Sequence, residues 1–233
     1  MSIIAANLQA VEATIGEAVQ AAGRARSEVQ LLAVSKTFPA QAVLEAMASG
    51  QTAFGENYLQ EALDKIVNVA QAQPEAPVEW HFIGPIQSNK TRPIAANFHW
   101  VHTVERLKIA QRLSEQRPPE LGPLNICLQV NISGEASKSG ATEAELPELA
   151  RAVAQLPNLR LRGLMAIPEQ ATDPAQQRAA FARLRQLHDA LRADGLALDT
   201  LSMGMSGDTT AAIAEGATIV RIGSAIFGAR NYD

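Results

Sequence analysis

Eight short apolar runs, the first seven each followed by a segment with helical periodicity, limit what this chain can fold into more than any other feature. The runs lie at 29–37, 52–57, 80–84, 100–104, 125–132, 159–167, 201–205 and 218–223. They are too short for globular helices, and most break at glycine, proline or polar residues. Helical patterns fill the gaps at 39–48, from about 58 to 73, at 87–96, 105–116, 143–155, 174–193 and 209–216. Alternation at this density implies parallel strands joined by helical crossovers. Eight such units in 233 residues predict one domain, residues 1–233, folded as a closed α/β barrel of the (β/α)8 TIM type. An open doubly wound sheet is the alternative, but no Gly-x-Gly-x-x-Gly follows the first run. An additional helix over 2–22, with Ile4, Leu8, Val11, Ile15 and Val19 on one stripe, precedes the first strand and is expected against the bottom or side of the core.

Composition narrows the function. A net charge of −4, with basic residues scattered, argues against nucleic acid and anionic membranes as partners. Only 4% of residues are aromatic, too few for a base-stacking surface. No apolar stretch approaches membrane-spanning length and the N-terminus lacks a signal pattern, so a cytoplasmic location is expected. The single Cys127 sits in an apolar run and is read as core.

In a barrel of this kind, function sits on the loops that follow the strands. The strand ends read Lys36, Asn57, His81, Thr103, Asn131, Met165, Ser206 and Gly223. They surround one lysine and show no Asp, Glu or His set at metal-ligand spacing. Beside apolar walls an ammonium loses solvation, its pKa falls, and the amine becomes a nucleophile suited to Schiff-base chemistry. The plainer reading of Lys36 is a strand-end lysine reaching back to water. The seventh run ends in Ser202-Met203-Gly204-Met205-Ser206-Gly207-Asp208 and leads into a helix; the eighth ends in Arg221-Ile222-Gly223-Ser224. Small residues let a ligand approach the backbone, a helix N-terminus offers unpaired N–H groups, Ser206 adds a hydroxyl, and Asp208 can cap the helix. Each segment alone is an ordinary glycine-rich turn. Two on consecutive strand ends point to a phosphate. A phosphate opposite a reactive lysine fits pyridoxal 5'-phosphate, and it also fits a sugar-phosphate aldolase substrate.

The segments AVSKT (33–37), FGENYLQEALDK (54–65), WHFIGPIQSNK (80–90), NISGEASKSG (131–140), GLMAIP (163–168), LSMGMSGD (201–208) and VRIGSAIFGAR (220–230) together resemble the pyridoxal phosphate homeostasis protein family, which has the fold of the alanine racemase N-terminal barrel domain. The resemblance covers nearly the whole chain. It implies that Lys36 forms an aldimine with pyridoxal 5'-phosphate. It places Ser206, Gly207, Gly223 and Ser224 at the phosphate, and Arg221 at the pyridine nitrogen. Asn57, His81, Met165, Ser202 and Met203 would line the ring pocket. Read from the residues alone, Arg221 is an ion-pairing or loop-bracing residue. A guanidinium stays protonated and donates to the ring nitrogen without protonating it, which weakens the ring as an electron sink.

Racemases of this fold take a second base, a tyrosine, from a separate β-domain that has no counterpart in this sequence. Its tyrosines, Tyr58 and Tyr232, are not obvious replacements. The resemblance therefore implies a monomeric carrier that buffers pyridoxal 5'-phosphate, or delivers it to recipient apoenzymes, in vitamin B6 homeostasis. A low-activity amino-acid racemase and a Schiff-base aldolase are the alternatives. The sequence departs from the family pattern at Phe38, where many members carry a second lysine, and at Asn231-Tyr232-Asp233, where some carry more. Lys138 is the remaining candidate for a transfer role, against a plain reading as a solvated loop lysine. His99, His102 and His188 are read as structural or surface residues.

Overall fold

The computed structural model describes residues 2–133, 139–169 and 171–229. Among them α1 (Ile3–Ala21) comes first, and eight parallel strands then close on themselves in sequence order. These are β1 (Gln30–Val34), β2 (Ala53–Glu56), β3 (Glu79–Phe82), β4 (Trp100–Val104), β5 (Leu124–Gln129), β6 (Leu159–Met165), β7 (Thr200–Ser202) and β8 (Ile219–Ile222). The ring is sealed where β8 returns to β1, with Leu31 opposite Val220 and Ala33 opposite Ile222. This is the (β/α)8 barrel expected from the alternation.

The crossovers carry α2 (Ala40–Met47), α3 (Leu59–Ala72), α4 (Thr91–Asn97), α5 (Leu107–Gln116), α6 (Leu146–Ala154), α7 (Pro174–Ala193) and α8 (Thr209–Ala214). Outward strand residues and inward helix stripes form one shared apolar layer, in which Phe54, Phe82, Phe98, Leu113 and Phe181 are fully buried. Each such side chain contributes roughly 1.5–3 kcal/mol by leaving water. The α1 helix belongs to this outer layer, at the side of the barrel. The Ser2 hydroxyl caps it by accepting the Ala5 N–H at 3.2 Å. Its buried face, Leu8, Val11, Ile15, Ala18 and Val19, packs beside α2, α8 and the four-residue α9 (Ser224–Phe227).

The barrel interior is a second, smaller cluster of Leu32, Ala53, Trp100, Cys127, Met165 and Ile219. Cys127 is core, as its run suggests, and burial pushes its thiol up to about 12. The same interior also buries His81, His102, Ser202 and Arg221. Such polar groups are unusual where branched apolar side chains normally fill the layers.

Several elements differ from the sequence expectation: β1 stops at Val34, β5 at Gln129 and β6 at Met165, each short of the end of its apolar run, and α6 begins only at Leu146. The seventh strand stops at Ser202 instead of Met205 because Gly204 turns the backbone to φ +96°, outside the extended region. The short α9 forms where the sequence reads only as a glycine-rich loop. Among the described residues no helix is long and apolar enough to cross a membrane.

Candidate functional site

The β1 strand ends at Val34, although the Ser35 N–H still pairs with Gly55 O at 3.0 Å. The Phe38 N–H then returns to Ser35 O at 3.1 Å, closing a four-residue turn with Lys36 in second place. Lys36 lines a cavity of about 670 Å³ at the C-terminal mouth of the barrel, a volume suited to a small molecule. The structure brings Asn57, Met165, Ser206, Gly207, Arg221, Gly223 and Ser224 to the same cavity from the ends of β2, β6, β7 and β8. Ile83 and Ile167 add apolar wall. Among the described residues no three His, Cys, Asp or Glu side chains gather as metal ligands would.

Three residues expected at a ring pocket stand elsewhere. Met203 is fully buried in the outer apolar layer, because the two-residue strand period that turns Ser202 inward turns its neighbour outward. His81 and Ser202 do face inward, but they lie below the cavity lining and are fully buried. Asp208 stands at the cap position before α8, yet its side chain does not cap the helix. Its Oδ1 accepts the Met205 N–H at 2.5 Å and ties the loop together, while the Thr209 hydroxyl donates to Met205 O at 2.6 Å. Lys138, Tyr232 and the segment 231–233 lie outside the described residues.

Beneath the cavity runs a continuous hydrogen-bonded chain. Arg221 Nη1 donates to Ser202 Oγ at 2.8 Å, Ser202 Oγ meets His102 Nδ1 at 2.8 Å, His102 Nε2 meets His81 Nδ1 at 2.8 Å, and His81 Nε2 meets Glu79 Oε1 at 2.8 Å. Its polarity follows from its ends. Glu79 can only accept, so His81 donates from Nε2; a neutral His81 then accepts on Nδ1 from His102, which accepts in turn from the Ser202 hydroxyl. Burial holds both histidines below the usual imidazole range, His102 well below it, and the proton on His81 helps draw Glu79 down to about 2. Every donor therefore points from Arg221 towards Glu79. His102, which the sequence suggests is merely structural or on the surface, is the residue that sequence reasoning misses. The available signal is its even spacing from Trp100, which puts both on one face of β4; that this face is the inward one is seen only in the structure.

The chain orients Arg221. Its Nη1 is directed at Ser202, its Nη2 donates to Ala166 O at 3.0 Å, and burial lowers the guanidinium to about 10. Among the described residues no carboxylate makes an ion pair with it, so a buried cation borders the cavity next to neutral acceptors. Asn57 Oδ1, also at the cavity, is buried without a hydrogen-bond partner. An acceptor or anionic group of a ligand would satisfy Arg221, and a ligand donor would satisfy Asn57 Oδ1.

The buried neutral histidines carry a stability prediction. In the unfolded chain they begin to bind protons near pH 6.5, whereas in the fold burial defers this to lower pH. Their contribution to stability is therefore constant above about pH 7 and falls as pH drops below 6.5. Each histidine costs about 1.4 kcal/mol per pH unit until its folded pKa is reached. His99 and His188 are lowered in the same direction and add to the fall, while the carboxyl of Glu56, raised by burial, opposes it. Thermal melts of the ligand-free protein at pH 7.5 and 5.5 should differ by about 5–10 °C. Equal melting temperatures would mean that His81 and His102 protonate in place.

A family model described as "Alanine racemase, N-terminal domain" matches residues 6–231. A pyridoxal phosphate homeostasis protein of Pseudomonas aeruginosa is 67% identical over 232 residues, covering 100% of this chain and 98% of its own length. This chain belongs to the pyridoxal phosphate homeostasis protein family. The Escherichia coli member is 53% identical and is covered over 99% of its length. Among solved structures, PipY of Synechococcus elongatus with PLP bound is 36% identical, with a TM-score of 0.83 over 97% of this chain and 100% of that one. Alanine racemase of Corynebacterium glutamicum, at 19% identity and a TM-score of 0.72, covers 97% of this chain and 61% of its own; it shows the shared fold.

Proposed function

We propose that this family member binds pyridoxal 5'-phosphate at the barrel mouth and serves its homeostasis. The observation that carries this reading is that Lys36 and Arg221 border one cavity from the adjacent strands β1 and β8. The naming of the full-length relatives and the PLP-bound PipY structure support it. The cofactor supplies an aldehyde, and Lys36 is the amine placed to meet it. Ser206, Gly207, Gly223 and Ser224 offer hydroxyl and backbone N–H groups to the phosphate. A Cβ at Gly207 would meet nothing within 4 Å, so the loop leaves open space beside its backbone. Arg221 faces the pyridine nitrogen, with its orientation held by Ser202 and Ala166. Asn57 and Met165 complete the ring contacts; His81 acts only indirectly, through His102 and Ser202 on Arg221.

On this reading the chain works as a monomeric cytoplasmic carrier that buffers the cofactor or hands it to apoenzymes. A racemase would need a second base over the opposite face of the substrate. Tyr58 is half exposed at the start of α3 and is not part of the cavity wall.

The test is the visible absorption spectrum of the full chain with added pyridoxal 5'-phosphate, followed by borohydride reduction and peptide mapping. A yellow band and a reduced adduct on the Lys36 peptide are expected, with no appreciable exchange of the α-deuterium of labelled alanine. Absence of band and adduct refutes the cofactor reading and favours the aldolase alternative. Rapid exchange refutes the carrier reading and favours the racemase.

A further inference from the structure

The segment Phe54–Lys65 contributes Asn57 to the cavity, but most of its charged residues remain without a role. The buried stripe of α3 is Ala62, Lys65 and Val69, so a lysine occupies an apolar position. Its side chain is 2% exposed, and its ammonium uses three hydrogen bonds, to Glu56 Oε1 at 2.6 Å, Ser35 O at 2.8 Å and Glu61 Oε1 at 2.9 Å. The two carboxylates reach further. Glu56 Oε1 accepts the Ser35 hydroxyl at 2.6 Å, and Glu61 Oε1 accepts the Thr37 N–H at 2.7 Å. The cluster thus grips the residues on either side of Lys36.

What it grips is strained. Thr37 is third in the turn that Phe38 closes onto Ser35, and its φ is +68°. A turn with positive φ at that place normally takes glycine, and a β-branched residue there is an outlier that persists only when its surroundings impose it. Glu61 supplies a charge-assisted acceptor for the N–H of that residue, and Lys65 fixes Glu61 in place. An ion pair this deep gives little net stability compared with apolar packing, so its effect lies in the single arrangement it enforces.

We propose that Glu61, anchored on Lys65, is a positioning residue for Lys36: it holds Thr37 left-handed and thereby keeps the lysine directed at the cavity. This rests on the reading of Lys36 as the residue that meets pyridoxal 5'-phosphate. There the ε-amine adds to the aldehyde carbon and water leaves; borohydride then delivers hydride to the resulting C=N bond and fixes the adduct.

The variant is Glu61→Ala. The Glu61 side chain is 33% exposed, so its removal leaves the fold standing. Two quantities are read on the full chain with pyridoxal 5'-phosphate: the rate of the borohydride-trapped adduct on Lys36, and total bound cofactor by equilibrium dialysis. Trapping should slow by about tenfold or more, while most non-covalent binding persists. Glu61→Gln, which keeps an acceptor oxygen, should slow it less. Thr37→Gly added to Glu61→Ala should recover most of the rate, because glycine adopts positive φ unaided. A purely structural role for Glu61 would not be rescued by deleting a side chain at residue 37. Trapping at the wild-type rate in Glu61→Ala overturns the proposal, and so does failure of Thr37→Gly to recover it. A wild-type protein that gives no adduct on Lys36 overturns the cofactor reading itself, and the proposal with it.

Discussion

Lys36→Ala should give a protein that melts like the wild type but can no longer be trapped with pyridoxal 5'-phosphate by borohydride. The two halves of this expectation have separate causes. The fold does not depend on the side chain. The ladders of β1 with β2 and β8 are made by backbone groups, and the turn after β1 is gripped at Ser35 and Thr37. A substitution of this kind usually changes stability by less than about 0.5 kcal/mol, which is about 1–2 °C in a chain of this size. Binding depends on the side chain because the amine is the group placed to join the aldehyde. Ser206, Ser224 and Arg221 remain, so the cofactor still binds, at least about tenfold more weakly. Intact mass after reduction checks the first quantity, equilibrium dialysis the second and a thermal melt the third. Broad unfolding would make Lys36 structural. An undiminished adduct would move the chemistry to another lysine.

How much of this is legible in the sequence depends on whether the physics is local. The strands are legible because a parallel strand covered on both sides reads as an apolar run, and all eight runs become strands. Lys36, Ser206, Gly207, Gly223 and Ser224 can be grouped because a barrel brings all strand ends to one face. The Glu79–His81–His102–Ser202–Arg221 chain is not legible. In a run such as Trp100-Val101-His102-Thr103-Val104, both faces are buried, so the pattern does not say which face looks inward. Ser202 and His102 are also a hundred residues apart in the chain. Met203 is misplaced for the same reason: without the phase of the strand, neighbours on opposite faces look equally close to the site. The clamp on Lys36 is hidden differently. Lys65 reads as one more helix-surface lysine until α3 is seen to turn it inward, and no sequence rule assigns positive φ to a threonine.

The phase of the strands also decides where the smallest change does the most damage. Gly163 lies in mid-β6, opposite Cys127 on β5 and Thr200 on β7. A Cβ there would stand 1.7 Å from Thr200 O and 2.6 Å from its carbonyl carbon. The obstacle is backbone, which cannot swing aside as a side chain can. Gly163→Ala must therefore part β6 from β7, a strand of only three residues. Ordinary overpacking costs about 1–3 kcal/mol, and a contact this short should cost at least about 3, lowering the melting temperature by about 6–12 °C. The loss should reach the site as well, because β7 carries the Ser202 that joins His102 to Arg221. Cofactor affinity should fall along with stability, whereas Lys36→Ala separates the two. Gly16→Ala is the matched control. That glycine lies inside α1, where an added methyl would meet nothing within 4 Å, and helix propensity there favours alanine by about 0.5–1 kcal/mol. The same added methyl should thus raise the melting point at residue 16 and lower it sharply at residue 163. A mild effect at 163 would mean that β6 and β7 can separate without opening the ring, and the link from β7 through Ser202 to Arg221 would then not depend on their pairing.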